Sequence, residues 1–240
     1  MSLKMILFDL DGTLLPMDQE QFVKAYFGLL AKKLAIYGYE PNKLIDSIWK
    51  GTKAMIANDG SQTNEQVFWD FFKSVYGEDA IKDHDKFEDF YKNEFQLVQN
   101  VCGYIEKAGY TIKLLKKHGF NVALATNPIF PSIATESRIK WAGLNKEDFE
   151  LVTTYENSKY CKPNLNYYIE ILNKLNVKPE ECLMVGNDVD EDMIARKLGM
   201  KVFLLPKYLI NNNNEDINQY PNGDFDELLI FIENIKNSEQ

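Results

Sequence analysis

The sequence predicts an α/β protein: a Rossmann-like, doubly wound parallel sheet core with a block of helices inserted behind its first strand. Three observations carry this expectation. Over the second half of the chain, short apolar runs alternate with helical patterns, as in a parallel sheet covered on both faces. The first apolar run, Ile6-Leu7-Phe8, has the same buried character, yet no crossover helix and partner strand follow it directly. The stretch between, from 18 to about 98, reads as helix throughout.

From the N-terminus, Ile6-Leu7-Phe8-Asp9-Leu10-Asp11-Gly12-Thr13 breaks from apolar side chains into acid, glycine and hydroxyl, as at the C-terminal tip of a buried strand. Strand alternation turns Asp9 and Asp11 to one side and Leu10 to the other. Gly12 permits a tight turn with N–H groups left to face an anion. In the inserted stretch, Phe22, Tyr26 and Leu29, then Leu44, Ile45 and Ile48, then Val67, Phe68, Phe71 and Phe72 recur at helical spacing, with breaks at 38–41, 58–61 and Gly77. Four helices without strands make a small bundle, and its aromatic stripes read as core. Trp49, Lys50, Lys53 and Asn58 could face a cleft, although a core or surface place is expected of each. Downstream, a helix through Leu114 precedes a strand at 121–126. A helix follows Pro128, a short strand lies near Leu151 and Val152, and a helix spans 167–175. The strand 182–185, a helix at 194–198 and the strand 202–205 complete the alternation, and 211–224 is a polar loop. The expected division is core at 1–15 and 100–240, helical insert at 16–99.

Composition narrows the function. The 240 residues carry a net charge of −9, which argues against nucleic acid or an anionic membrane as partner. No apolar stretch approaches the roughly 20 residues of a membrane span, and the N-terminus lacks the apolar segment of a secretion signal. Three scattered cysteines, Cys102, Cys161 and Cys182, fit free thiols in a reducing, cytoplasmic setting. Cys161 borders a site candidate but reads as a buried bystander. His84 and His118 are isolated, so Ser-His or Cys-His catalysis has little support. Arg supplies two of the 27 basic residues, so an anion site here must rest on Lys, N–H groups, hydroxyls and metal. Nothing in the sequence speaks to oligomeric state.

In an open α/β sheet, ligands bind at the carboxyl ends of strands. Asp9 and Asp11 stand at one such end. Thr126-Asn127 stand at another, where the hydroxyl and nearby N–H groups could take phosphoryl oxygens or simply cap a helix. Lys162-Pro163 precedes a helix. The run Gly186-Asn187-Asp188-Val189-Asp190-Glu191-Asp192 ends an apolar strand in a density of acid that calls for solvent or a cation. Neither acidic run fits a calcium loop, and no phosphate-binding glycine loop of the Walker kind is present.

In order and spacing these elements resemble the four motifs of the haloacid dehalogenase (HAD) superfamily. Asp9-Leu10-Asp11-Gly12-Thr13 is similar to motif I of its phosphatase branch, Thr126 to motif II, Lys162 to motif III and the Asn187–Asp192 run to motif IV. The insert falls where that family's helical C1 cap does, as in phosphoglycolate phosphatase-like members. The resemblance implies a Mg²⁺-dependent phosphatase acting on a small phosphorylated metabolite through an aspartyl-phosphate. In that scheme Asp9 is the nucleophile, Asp11 the acid and base, and Thr126 and Lys162 complete the catalytic set. Leu10, Gly12 and Asn127 join these two in holding the phosphate. The metal falls to Asp9, Asp11 and Asp188, with Asn187 and Asp192 in support. Asn187 follows the glycine where the motif has Asp, which leaves Asn187 and Asp188 as alternative ligands. A sugar phosphomutase, and a non-catalytic binding protein on the same scaffold, are the rival readings. An acid at position 11 disfavours dehalogenation.

Overall fold

A computed structural model describes residues 2–238. Four apolar runs form one parallel sheet: β1 (Met5–Phe8), β2 (Asn121–Leu124), β3 (Cys182–Gly186) and β4 (Lys201–Leu204), in the order β2-β1-β3-β4. Successive side chains of a strand point to opposite faces. Ile6 and Phe8 therefore enter one hydrophobic cluster, and Met5 and Leu7 the other. β1 lies between β2 and β3, so the crossovers leave it in opposite directions. That arrangement opens a crevice at its carboxyl end, where Asp9 follows.

The inserted stretch folds as α1 (Gln19–Ala35), α2 (Pro41–Ile56), α3 (Asn64–Tyr76) and α4 (His84–Lys92), followed by a 3₁₀ segment at Glu94–Val101. Phe72, Phe90 and Phe95 are fully buried in its centre. The segments that enter and leave the insert run side by side: Met17 bridges Cys102, and the Gly103 N–H donates to the Pro16 carbonyl at 2.8 Å. A Cβ at Gly103 would sit 2.7 Å from that of Pro16, so this approach needs glycine.

α5 (Glu106–Lys117) and α6 (Ser132–Trp141) cover one face of the sheet, and α7 (Leu165–Leu175) covers the other. α8 (Phe225–Ser238) joins the first face through Leu228 and Ile232. Phe225, Leu228 and Ile232 have helical spacing and form its buried side. Three elements differ from expectation. α6 begins at Ser132 rather than after Pro128, because Pro131 is extended at φ −64°, ψ 156°. The strand near 151–152 shrinks to a single bridge between Leu124 and Val152. The helix at 194–198 is a 3₁₀ turn, Met193–Leu198, wound from the acidic loop and stopped by Gly199 in the left-handed region.

One buried amide fastens insert to core. Thr63 and Gln66 form a reciprocal capping box that fixes the start of α3. Asn64 follows, fully buried, and its Nδ2 donates to the Pro128 carbonyl at 3.2 Å and to Cys161 Sγ at 3.3 Å. Its Oδ1 accepts from Asn58 at 2.9 Å, which accounts for Asn58 as a buried link rather than a cleft residue. Both anchored loops carry site residues a position or two away. Removing a buried polar partner costs about 1–3 kcal/mol. Asn64→Ala is therefore expected to lower stability by about that amount in urea denaturation, and a change within error would show that the contact is incidental.

Candidate active site

Lys162 lies at the centre. Its Nζ, buried at 1% exposure, donates to Asp9 Oδ1 at 2.8 Å and to Asp192 Oδ1 at 2.6 Å. Burial by itself depresses an ammonium, but the two carboxylates outweigh it and hold Lys162 well above its ordinary value. The other Asp192 oxygen accepts the Asp188 N–H at 3.0 Å. One lysine thus ties the tip of β1 to the loop after β3.

That acidic loop is ordered by its own carboxylates. Asp188 Oδ1 accepts the N–H groups of Asp190 and Glu191, each at 2.8 Å. Asn187 is spent at both ends: its Oδ1 accepts from Thr13 at 2.8 Å and its Nδ2 donates to the Tyr208 carbonyl at 2.6 Å. Asn187 therefore locks the first turn to the acidic loop, and both it and Asp188 line the cleft with Asp9 and Asp11. Gly12 sits against that lock at φ +83°, where a Cβ would fall 2.4 Å from Asn187 Nδ2. Its N–H donates to the Leu15 carbonyl at 2.8 Å, so its contribution is the turn itself.

Thr126 and Asn127 line the same cleft. The Thr126 carbonyl accepts the hydroxyls of Thr153 at 2.6 Å and Tyr167 at 2.9 Å, which pins the tip of β2, and because α6 starts at Ser132 after Pro131, neither Thr126 nor Asn127 caps it. Asn127 Nδ2 reaches both oxygens of Glu191 at 3.0 Å. Cys161 is buried, and burial pushes its thiol far above the usual range, consistent with a bystander.

Sequence reasoning missed Arg138. On α6, 127 positions from its partner and 1% exposed, it forms an ion pair through Nη1 with Asp11 Oδ2. Thr135 Oγ1 and the Phe130 ring, 4.5 Å from Cζ, hold the guanidinium in place. Asp11 Oδ1 is buried without a partner. Burial raises the Asp11 carboxyl above its ordinary value, against the opposing pull of Arg138. A lone arginine in a helix gives no sequence signal for this contact. Glu191 was also passed over; burial lifts it to about 8.

Charge is unbalanced here. Asp9, Asp11, Asp188, Glu191 and Asp192 converge on two cations, Lys162 and Arg138. Burial is the leading cause of the upward shifts of Asp11, Asp188, Glu191 and Asp192. A hard divalent cation fits this donor set. Among the described residues no three His, Cys, Asp or Glu side chains are grouped to enclose an ion. Such a cation would draw on two carboxylates, a main-chain carbonyl and water, which suits Mg²⁺.

Comparison with known proteins agrees with this geometry. Residues 3–198 match the family model for haloacid dehalogenase-like hydrolases, and the chain belongs to that family. Pyrophosphatase PpaX of Bacillus cereus is 25% identical over 202 residues, 84% of this chain and 82% of that protein. In fold, the chain is similar to a predicted phosphoglycolate phosphatase of Haemophilus somnus 129pt, at TM-score 0.56 and 18% identity, covering 95% of this chain and 97% of the other. It is also similar to the magnesium-bound HAD-hydrolase YfnB of Bacillus subtilis, at TM-score 0.56 and 17% identity, covering 97% and 99%. The chain is a HAD-family enzyme whose relatives are named as phosphatases.

Lys162→Met is expected to cost about 3–5 kcal/mol in urea denaturation, since it strands two buried carboxylates. Asp192, lifted by burial to about 7, then has no ammonium opposing the shift. A carboxyl raised on folding stabilises below its unfolded pKa and loses that contribution as pH rises through the folded one. The variant's folded Asp192 therefore titrates above 7, so its deficit should shrink as pH falls from about 9 to about 7, and a constant deficit over that range would contradict the assignment.

Proposed function

We propose that the protein is a Mg²⁺-dependent phosphatase that hydrolyses a small phosphate monoester through an aspartyl-phosphate on Asp9. The observation that carries this reading is the Lys162 bridge from Asp9 to Asp192, which holds one Asp9 oxygen and leaves the other for phosphorus. In the first step the Asp9–phosphorus bond forms as the ester P–O bond breaks, and Asp11 gives its proton to the departing alcohol. In the second, Asp11 takes a proton from water as that water attacks the acyl-phosphate, releasing inorganic phosphate and restoring Asp9. Arg138 occupies Asp11 Oδ2, so the unpartnered Oδ1 is the atom that carries the moving proton.

Lys162, Thr126 and main-chain N–H groups at Leu10 and Asn127 would hold the equatorial oxygens. The Asp9 carboxylate, the Asp11 carbonyl and Asp188 would hold Mg²⁺, with Asp192 fixing the Asp188 loop. When bound, the ion supplies positive charge that lets an anionic ester approach a carboxylate. The helical insert, residues 16–99, would serve as the cap that excludes water. Free cysteines support a cytoplasmic setting, and no helix among the described residues is long and apolar enough to cross a membrane.

Phosphate release from a panel of esters tests the reading. Asp9→Asn should lower turnover at least about 1,000-fold, and retained turnover would remove Asp9 as nucleophile. Chelation should stop release and added Mg²⁺ restore it; dependence on a bisphosphate activator would instead indicate a phosphomutase. Asp11 must be protonated to act as acid, so kcat/KM should fall as pH rises through its raised pKa. Arg138 pulls that pKa down, so Arg138→Met should move the alkaline limb to higher pH. An unmoved limb would show that Asp11 is not the titrating acid.

A further inference from the structure

The carboxylates open into a cavity of about 310 Å³ whose character changes within a few residues. Its floor is Asp9, Asp11, Thr126 and Asp188. Its walls are rings: Phe22 and Phe27 from α1, Trp49 from α2, Trp69 from α3, and Phe130 and Tyr155 from the core. Among the described residues no Lys, Arg or His side chain lines it. Aromatic stripes ordinarily fill a bundle's centre, and Phe72, Phe90 and Phe95 do so here. Phe22, Phe27, Trp69 and Tyr155 belong to the same buried cluster, yet each also borders the cavity. Trp49 and Ile56, each 43% exposed, carry the apolar surface out to solvent.

Such walls discriminate among leaving groups. A leaving group with a carboxylate or second phosphate would enter beside Asp11 and Glu191 with no side-chain cation to meet it. A polyhydroxyl group would meet few partners on the walls: the facing phenols of Tyr26 and Tyr91 are bonded to one another at 2.9 Å, and Gln19, Thr52 and the Trp69 indole N–H offer polar atoms there. An uncharged ring loses nothing on entry and gains edge and face contacts. The volume accommodates one ring with its phosphoryl group, since a cavity of about 150 Å³ holds a benzene.

We propose that the substrate is a phosphate monoester of an uncharged alcohol bearing an aromatic ring, with the ring lodged between the α1 and α2 rings and Phe130. This rests on the phosphatase reading above. The test compares kcat/KM for 2-phenylethyl phosphate and ethyl phosphate, whose alcohols are similar leaving groups, with phosphoglycolate and pyrophosphate alongside. Burying a ring favours the phenyl ester by on the order of 100-fold, and Phe27→Ala or Trp49→Ala should bring that ratio down several-fold. A ratio near one, or a preference for phosphoglycolate or pyrophosphate, would overturn the ring site and leave the phosphatase standing. If no ester is turned over, binding of 3-phenylpropylphosphonate and propylphosphonate, followed by tryptophan fluorescence, separates the two ideas. Tighter binding of the phenyl compound keeps the ring site while the phosphatase falls, and equal binding removes both.

Discussion

A buried ammonium between two carboxylates is the contact on which the rest of the molecule depends. Lys162 joins Asp9, 153 positions away, to Asp192, 30 positions away, at 1% exposure or less for the ammonium and Asp192 side chains. Ions so buried are tolerated only when their bonds are filled, and here Asp192 uses its second oxygen on the Asp188 N–H. The Asn187 lock to Thr13 makes the same join from the other side of the turn. Strand tips that would otherwise repel one another are thereby held at one place in the sheet, where β1 meets neighbours on both sides.

The site remains acidic even so. Two cations do not offset five carboxylates, and burial raises most of those acids because solvent cannot share the charge. An imbalance of this sign is what the proposed Mg²⁺ would offset. The same imbalance repels any further negative charge on the leaving side. The cavity beside the carboxylates is lined by rings, which is the ground of the aromatic-ester proposal.

Much of the core was legible because its signals are local. Apolar runs ending in Asp9, Thr126 and Asn187 mark strand tips whatever surrounds them, and breaks at Gly77 and 38–41 separate helices by backbone preference alone. The division of labour between Asn187 and Asp188 was not legible. Both can bind a metal, and that Thr13 and Tyr208 engage both ends of the Asn187 amide appears only in the fold. Arg138 was hidden for a related reason: on α6 it is one basic residue in a helix, and its meaning comes from Asp11 at the far end of a fold. The start of α6 shifted because Pro131 adopts an extended backbone, which the proline at 128 does not foretell.

Trp49 illustrates the limit most directly. The sequence leaves core, surface and cleft open for it, and in the fold it stands 43% exposed at a cavity beside Asp9 and Asp11. By itself the sequence determined the strand tips, the helical insert and the placing of Asp9 and Asp11 on one side of a strand end, because those follow from neighbouring residues and backbone geometry. Only the tertiary structure decided which acids are ion-paired, which are left to a cation, and which rings border empty space. Those properties belong to contacts between residues far apart in the chain, and no local pattern contains them.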